Sequence, residues 1–358
     1  MKSPNFSFID DQDLTNLKHY PYKHLKAYLR TSRSDSKYHW HMANILGEMY
    51  EYAVYEKLVR WAFDTEEISE FILKGPYIER NPKVKEGLLY DPYRQIYYNS
   101  GGETIAEFDV LFKVGNKRYF VEITNTETKR AIKNMRSGIV RKRNLLQYIF
   151  PNDEIHCWVI TNYSGKLGVS NFPNTEVFRT PKYKLNPDIL HTKEESLKPL
   201  PLNESKYKSL YELQYRAFDY YRILKEIHKQ VRIDKPEKVK DTLEVLVKPY
   251  AGLIERFFVG KMSAKQFVDY IKDRGYKLPR DIRLAQVYFA LKIEGDLSIE
   301  HRLYLQTRNN KFYEILNLKK METKRVYGIK RTTRDIKYLD SMLKNLSADD
   351  WIYVRSQV

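Results

Sequence analysis

The chain has a single cysteine, Cys157. One thiol closes no intramolecular disulfide and supplies no thiolate cage for zinc, which excludes a disulfide scaffold and a zinc finger and fits a reducing compartment. Long apolar runs are missing as well: no stretch approaches the ~18 residues of a membrane span. The opening MKSPNFSFIDDQD turns acidic where a signal peptide needs an apolar run. A cytoplasmic location, or a nuclear one in a eukaryote, is therefore expected, with no membrane partner. Glycine is scarce, at 14 residues, which favours helices over a barrel. Acid is scarce relative to base: 63 Lys plus Arg against 46 Asp plus Glu leave a net charge of +17, so the expected partner is a polyanion, nucleic acid first. Walker A, GxGxxG and HExxH motifs are absent.

What the chain does have is length, rings and localised charge. At 358 residues it exceeds one ordinary core, and two domains are expected. Residues 1–100 and 151–200 are each balanced in charge, whereas 101–150 carry an excess of +5 and 201–358 one of +12. Tyrosine (30), phenylalanine (16) and tryptophan (4) exceed what one core needs; stacking platforms for bases and a compositional bias of the coding sequence both account for them. The stretch 185–205, with Pro187, Pro199 and Pro201 and little periodicity, reads as a linker. It separates an N-terminal helical extension (1–40) and an α/β domain (41–184) from a C-terminal domain (206–358). Helical spacing at 41–63, strand-like alternation at 106–114 and 117–124, helical spacing at 127–149 and the apolar run 155–161 make the first domain mixed. After the linker, helical spacing at 207–231, 236–259, 264–274 (Ser263 as N-cap, Gly275 as stop), 280–293 and 332–346 predicts a mainly α-helical domain with no strand pair.

The most informative segment is AEFDVLFKVGNKRYFVEIT, where Gly115-Asn116 between two β-type runs predicts a two-residue hairpin. Pairing Val114 with Lys117 sets Val110 against Val121, Phe112 against Tyr119 and Phe108 against Ile123 on a core face. The other face sets Asp109 against Glu122, Leu111 against Phe120 and Glu107 against Thr124, so two acids, or three with Glu107, gather at one end. Like charges whose side chains start ~5 Å apart destabilise a sheet. A divalent cation is the simplest compensation, and oxygen-only ligation suits Mg²⁺ or Mn²⁺ rather than zinc. The competing reading turns that face to solvent, with Lys113 and Arg118 neutralising the acids. Cys157 lies in an apolar strand with His156 pointing to the opposite face, so a core thiol is expected rather than a nucleophile.

The preceding helix reads Gly47-Glu48-Met49-Tyr50-Glu51-Tyr52-Ala53-Val54, and the following one carries Lys129, Lys133 and Arg136 on a stripe. Acid helix, acid hairpin and basic helix in this order resemble the PD-(D/E)XK nuclease superfamily over roughly residues 41–180. The resemblance implies an α/β, restriction-endonuclease-like core (αβββαβ) whose catalytic residues are Glu51, Asp109, Glu122 and a lysine. Asp109 would be the central metal-bridging carboxylate, Glu122 the second ligand, the carbonyl of Ile123 a third, and Glu51 the helix-borne acid. The pattern Gly47-x-x-Tyr50-Glu51-x-x-Val54 looks like the first motif of the Mrr-like branch and favours Glu51, with Glu48, three residues away, as the alternative. The family's Glu-x-Lys is here Glu122-Ile123-Thr124. Cap-snatching endonucleases of segmented negative-strand RNA viruses are similar in taking the lysine from the next helix, where Lys129 and Lys133 are the candidates. His39 and His41, just ahead of Glu51 on the same helix, are expected to be ordinary surface or core residues.

Between 129 and 143 there are seven basic residues and no acid; Arg130, Arg136, Lys142 and Arg143 are the expected phosphate contacts on this helix. A second basic stretch, 319–334, offers Lys324, Arg325, Lys330 and Arg331 around Tyr327 as a phosphate-tracking patch. Ser263–Leu291 has the outline of a helix-turn-helix with an overlong turn. The expected activity is a divalent-metal-dependent endonuclease acting on DNA or RNA, as a monomer, a homodimer or part of a larger complex. The alternative is a non-catalytic nucleic-acid-binding protein on a degenerate nuclease fold, with Thr124 marking the loss.

Overall fold

The computed structural model describes residues 3–79, 85–126, 135–165, 167–169, 171–192, 204–231, 239–279, 282–293, 298–326 and 330–356. They form two compact units, Met1–Phe218 and Asp219–Val358. The division falls after Phe218; of the expected linker, 193–203 lies outside the described residues, and in its first part Leu190 is buried in the first unit's core, with Leu185 and Ile189 packed against it.

The first unit is organised around α3 (Tyr38–Phe63), preceded by α1 (Asp11–Asn16) and α2 (Leu25–Arg30). From Met49 to Val59 every residue of α3 except Glu51 is buried, so the helix is enclosed on all sides. Leu17, Tyr20, Tyr22, Leu25 and Tyr28 share its core, which makes residues 1–40 part of the domain rather than an extension. Glu56 is tolerated in this core because Asn16 Nδ2, Tyr20 OH and Tyr77 OH donate to it at 2.7, 2.7 and 2.8 Å.

Among the described residues the strands of this unit are β1 (Ile68–Ile72), β2 (Gly87–Tyr90), β3 (Ile96–Ser100), β4 (Glu103–Phe108), β5 (Val110–Val114), β6 (Lys117–Thr124), β7 (Glu154–Thr161), β8 (Thr175–Arg179) and β9 (Tyr207–Lys208), with helix α4 (Met135–Ile149) between β6 and β7. The main sheet has the order β8-β7-β6-β5-β1-β9, and β2, β3 and β4 make a separate three-stranded sheet. β5 is antiparallel to β1 and β6, whereas β7 is parallel to β6 and β8, the crossover to β7 passing through α4. The hairpin has the predicted register, Val110 opposite Val121 through Val114 opposite Lys117. Gly115 alone of the two turn residues takes a positive φ, +58°, the demand of a type II′ turn.

The alternation expected to run unbroken from 106 to 114 is cut at Asp109. β4 leaves to pair with β3, Phe108 opposite Ile96 and Glu107 opposite Tyr97. Glu107 is exposed there, in the smaller sheet. Asp109 itself sits in the bend between the two sheets.

The second unit is not mainly helical. It holds β10 (Arg256–Ser263), β11 (Leu284–Ile293), β12 (Ile299–Thr307), β13 (Phe312–Asn317), β14 (Glu322–Arg325) and β15 (Lys344–Asn345) in one sheet of order β14-β13-β12-β11-β10-β15. Its described helices are α5 (Tyr220–Gln230), α6 (Val239–Val247), α7 (Ala264–Lys272), α8 (Lys330–Leu339) and α9 (Ala348–Ser356). The apolar runs at 256–263 and 284–293 are buried on both sides of the sheet, and such runs carry no period that distinguishes strand from helix. α7 does start at the Ser263 cap, and Gly275 follows it at φ +75°, but a strand comes next, so there is no helix-turn-helix. Among the described residues no helix is long and apolar enough to cross a membrane.

Candidate functional site

The bend at Asp109 has a local cause. Once β4 turns away, the amide of Ile123 on β6 loses the strand carbonyl that the hairpin register would place opposite it. The Asp109 carboxylate takes that place: Ile123 N donates to Asp109 Oδ2 at 2.6 Å. One acid is thus fixed at the junction of the two sheets by a main-chain donor of the strand that carries Glu122.

Glu122 lies one residue before Ile123 on β6, half-buried, and is ion-paired with Lys142 of α4. Ile139, Leu145, Leu146 and Ile149 are the buried face of α4, and Lys142 stands three residues after Ile139 and four before Leu146. Helical spacing therefore carries this one lysine inward, its ammonium 5.8 Å from the Phe108 ring centre. Burial, countered by Lys142 and reinforced by the charge of Asp109, lifts the Glu122 carboxyl from 4.5 to about 7. Burial also opposes the charge on Lys142, but Glu122 and Asp109 outweigh it and hold its pKa above the usual lysine value.

Glu51 arrives from α3. Its Oε1 accepts from Nζ of Lys74, a fully buried lysine just after β1 that also donates to Gln95 Oε1, at 2.6 and 2.8 Å. Burial, countered by Lys74 and reinforced first by Asp109 and then by Glu48, raises Glu51 from 4.5 to about 7. Glu48 is engaged elsewhere, accepting from the His24 backbone amide at 3.3 Å and pairing with its ring Nδ1 at 2.7 Å. Of the two helix acids, then, Glu51 is the one whose titration Asp109 shifts.

Asp109 therefore sits at the electrical centre of a group made by Glu51, Glu122, Lys74 and Lys142. The acids are oxygen donors suited to a hard divalent ion, and each keeps a second carboxylate oxygen that no hydrogen bond occupies among the described residues. By donor chemistry the group fits Mg²⁺ or Mn²⁺. Among the described residues, however, no three His, Cys, Asp or Glu side chains are gathered as a ready metal cage; lysines, not a third acid, stand beside Glu51 and Glu122.

Lys113 and Arg118 do not neutralise these acids. They close on Asp153 at 2.8 and 2.7 Å, and Arg118 also reaches Glu70 at 2.5 Å, toward the turn end of the hairpin. Cys157 is buried, and burial pushes its thiol well up, as an inert core thiol requires. His39 is exposed on the first turn of α3.

The expected phosphate contacts fare differently. Lys129, Arg130 and Lys133 lie outside the described residues. Arg136 is exposed, its guanidinium 4.8 Å from the Phe172 ring centre. Arg143 is spent on Pro173 O and Thr175 Oγ1 at 2.7 and 2.8 Å, and Lys142 on Glu122. In the second unit Lys324 and Arg325 are exposed on β14, an edge strand, where positive charge also guards against edge pairing. Lys330 and Arg331 begin α8, with their side chains and Tyr327 outside the described residues. Lys142, expected as a phosphate contact, is instead the partner of Glu122; Lys74, a lone lysine after a short strand, carries no signal in the sequence. No family model matches the chain, and no solved structure matches it either.

Proposed function

We propose that the first unit is a divalent-metal-dependent endonuclease that hydrolyses phosphodiester bonds of DNA or RNA. The observation that carries this reading is geometric: the Ile123 amide holds the Asp109 carboxylate beside the strand position of Glu122, and Lys142 is paired to Glu122. The chain order α3, β1, β5, β6, α4, β7 supports an αβββαβ core of the restriction-endonuclease-like kind. Glu51, Asp109, Glu122 and the carbonyl of Ile123 would hold Mg²⁺ or Mn²⁺, which when bound supplies an acidified water and charge neutralisation at the scissile phosphate.

The chain's own residues have distinct tasks. The Ile123 amide orients Asp109. In the metal-free chain burial raises the carboxyls of Glu51 and Glu122 to about 7, so a cation is needed to hold both charged beside Asp109. Lys142, held charged by Glu122 and Asp109, takes the place left by Thr124 and stabilises negative charge developing on the phosphate. Arg136 offers an exposed cation on the same helix for the substrate backbone.

Nucleic-acid binding without cleavage is the second reading, favoured by the lysine pairs that already neutralise Glu51 and Glu122. Single- and double-stranded DNA and RNA incubated in EDTA, Mg²⁺ and Mn²⁺, beside Asp109→Ala and Glu122→Ala, separate the two. The enzyme reading expects cleavage in Mg²⁺ or Mn²⁺ by the wild type alone. No cleavage with either ion, or equal cleavage by the variants, overturns it.

A further inference from the structure

We propose that the second unit contains a pocket of its own for a nucleotide, meaning a purine or pyrimidine ring with its phosphate. This deepens the nuclease reading and rests on it for the expectation that the ligand belongs to a nucleic-acid strand. A cavity of about 400 Å³ lies among the end of α7, β12, the β13–β14 turn and α9, within the ~300–1,000 Å³ usual for small-ligand sites. Among the described residues no acidic one lines it, whereas Arg274, Arg302 and Lys319 do.

The three cations are not equivalent. Arg302 is anchored by Glu300 and by Glu314, whose Oε1 lies 2.9 Å from Nε; its charge is compensated and its position fixed. Arg274 donates to Tyr270 O at 3.2 Å and lies 4.0 Å from the centre of the Tyr270 ring. Neither Arg274 nor Lys319 makes an ion pair among the described residues, so both keep charge for an anion.

The remaining wall mixes aliphatic side chains such as Leu303, Ile315 and Leu318 with three aromatic ones, Tyr270, Tyr276 and Trp351. Trp351 is 1% exposed and stacks on Phe289 with centroids 4.2 Å apart. Its Nε1–H is buried and has no acceptor among the described residues. A buried donor left unpaired is costly, and a ligand that brings an acceptor removes that cost. Two tyrosine rings within an apolar wall, a buried donor without an acceptor and two unpaired cations match a base and its phosphate better than a phosphate alone or an acidic peptide, neither of which uses the rings and the apolar wall together.

The test is equilibrium binding to the full chain in EDTA, where no cleavage occurs. The probes are 5′-AMP, 5′-UMP, a single-stranded dodecamer containing 2-aminopurine, and inorganic phosphate. Saturable binding of a nucleotide or the dodecamer at least tenfold tighter than phosphate is expected. Binding should weaken at least tenfold in Arg274→Ala and Lys319→Ala, both at exposed positions, and severalfold in Trp351→Phe, which keeps the ring on Phe289. Binding of mononucleotides identifies a free nucleotide as the occupant, and binding of the dodecamer alone a nucleotide within a strand; both support the pocket. Nucleotides that bind no tighter than phosphate, or variants that bind like wild type with unchanged thermal unfolding, overturn it. Cleavage by the first unit without this binding would remove the pocket and leave the nuclease, and the converse result would do the opposite.

Discussion

Lys142 shows how one side chain can do two things at once. Its apolar stem continues the buried stripe of α4, while its ammonium closes on Glu122. Lys142→Met keeps the stem and removes the charge. Breaking a buried pair of this kind by removing one partner costs ~3–5 kcal/mol, so urea unfolding should show a destabilised variant at pH 8, with much of the loss recovered in Glu122→Gln/Lys142→Met. Glu51 and Glu122 give a second prediction. Each is raised from 4.5 to about 7 in the folded chain, so between those values the native state holds protons that the unfolded state has released. Stability must then fall as pH rises from about 4.5 to about 7 and level off above. Unfolding free energies measured in EDTA at pH 5, 6, 7 and 8 should follow that slope, and Glu122→Gln should flatten it. The opposite slope would place these carboxylates in a different electrostatic setting.

At the scale of elements, the hairpin was legible because Gly115-Asn116 and the alternation on each side fix the register without reference to the rest of the fold. Its break was not. Phe108 and Val110 both belong to buried strand, and nothing local in AEFDVLF says that the chain changes sheets at Asp109; the switch is decided by pairing of β4 with β3. The tyrosines were ambiguous for a similar reason. Tyr20, Tyr55, Tyr90, Tyr98 and Tyr207 are core residues whose hydroxyls fasten distant segments, a role that composition does not separate from base stacking. The hairpin's turn end depends on Arg118, buried between Asp153 and Glu70. Arg118→Met leaves Glu70 without its cation and Asp153 with Lys113 alone, and should cost ~3–5 kcal/mol in denaturant unfolding, while the titration slope from Glu51 and Glu122 persists. A variant as stable as wild type would show that this end of the hairpin is held by packing alone.

For the whole molecule, the charge count located the basic excess at 101–150 and after residue 200, but pattern reading misjudged the architecture that carries it. Fully buried strands such as β11 have no alternation to read, and the length of the run favoured a helix. The division after Phe218 gives each unit its own sheet, so a chain ending at 218 should unfold cooperatively with a defined midpoint, measured by circular dichroism. It should also lose most of the salt-sensitive affinity for nucleic acid, because residues 219–358 carry +11 of the +17. The central claim is that Asp109, Glu51, Glu122 and Lys142 act as one hydrolytic centre. Its most direct test is the single-turnover rate of Mn²⁺-dependent cleavage by wild type, Asp109→Asn and Lys142→Met between pH 6 and pH 9. Cleavage by the wild type, with losses of ~10²-fold or more in both variants, is the predicted result. Cleavage that is unchanged in Lys142→Met, or that persists in EDTA, would contradict it.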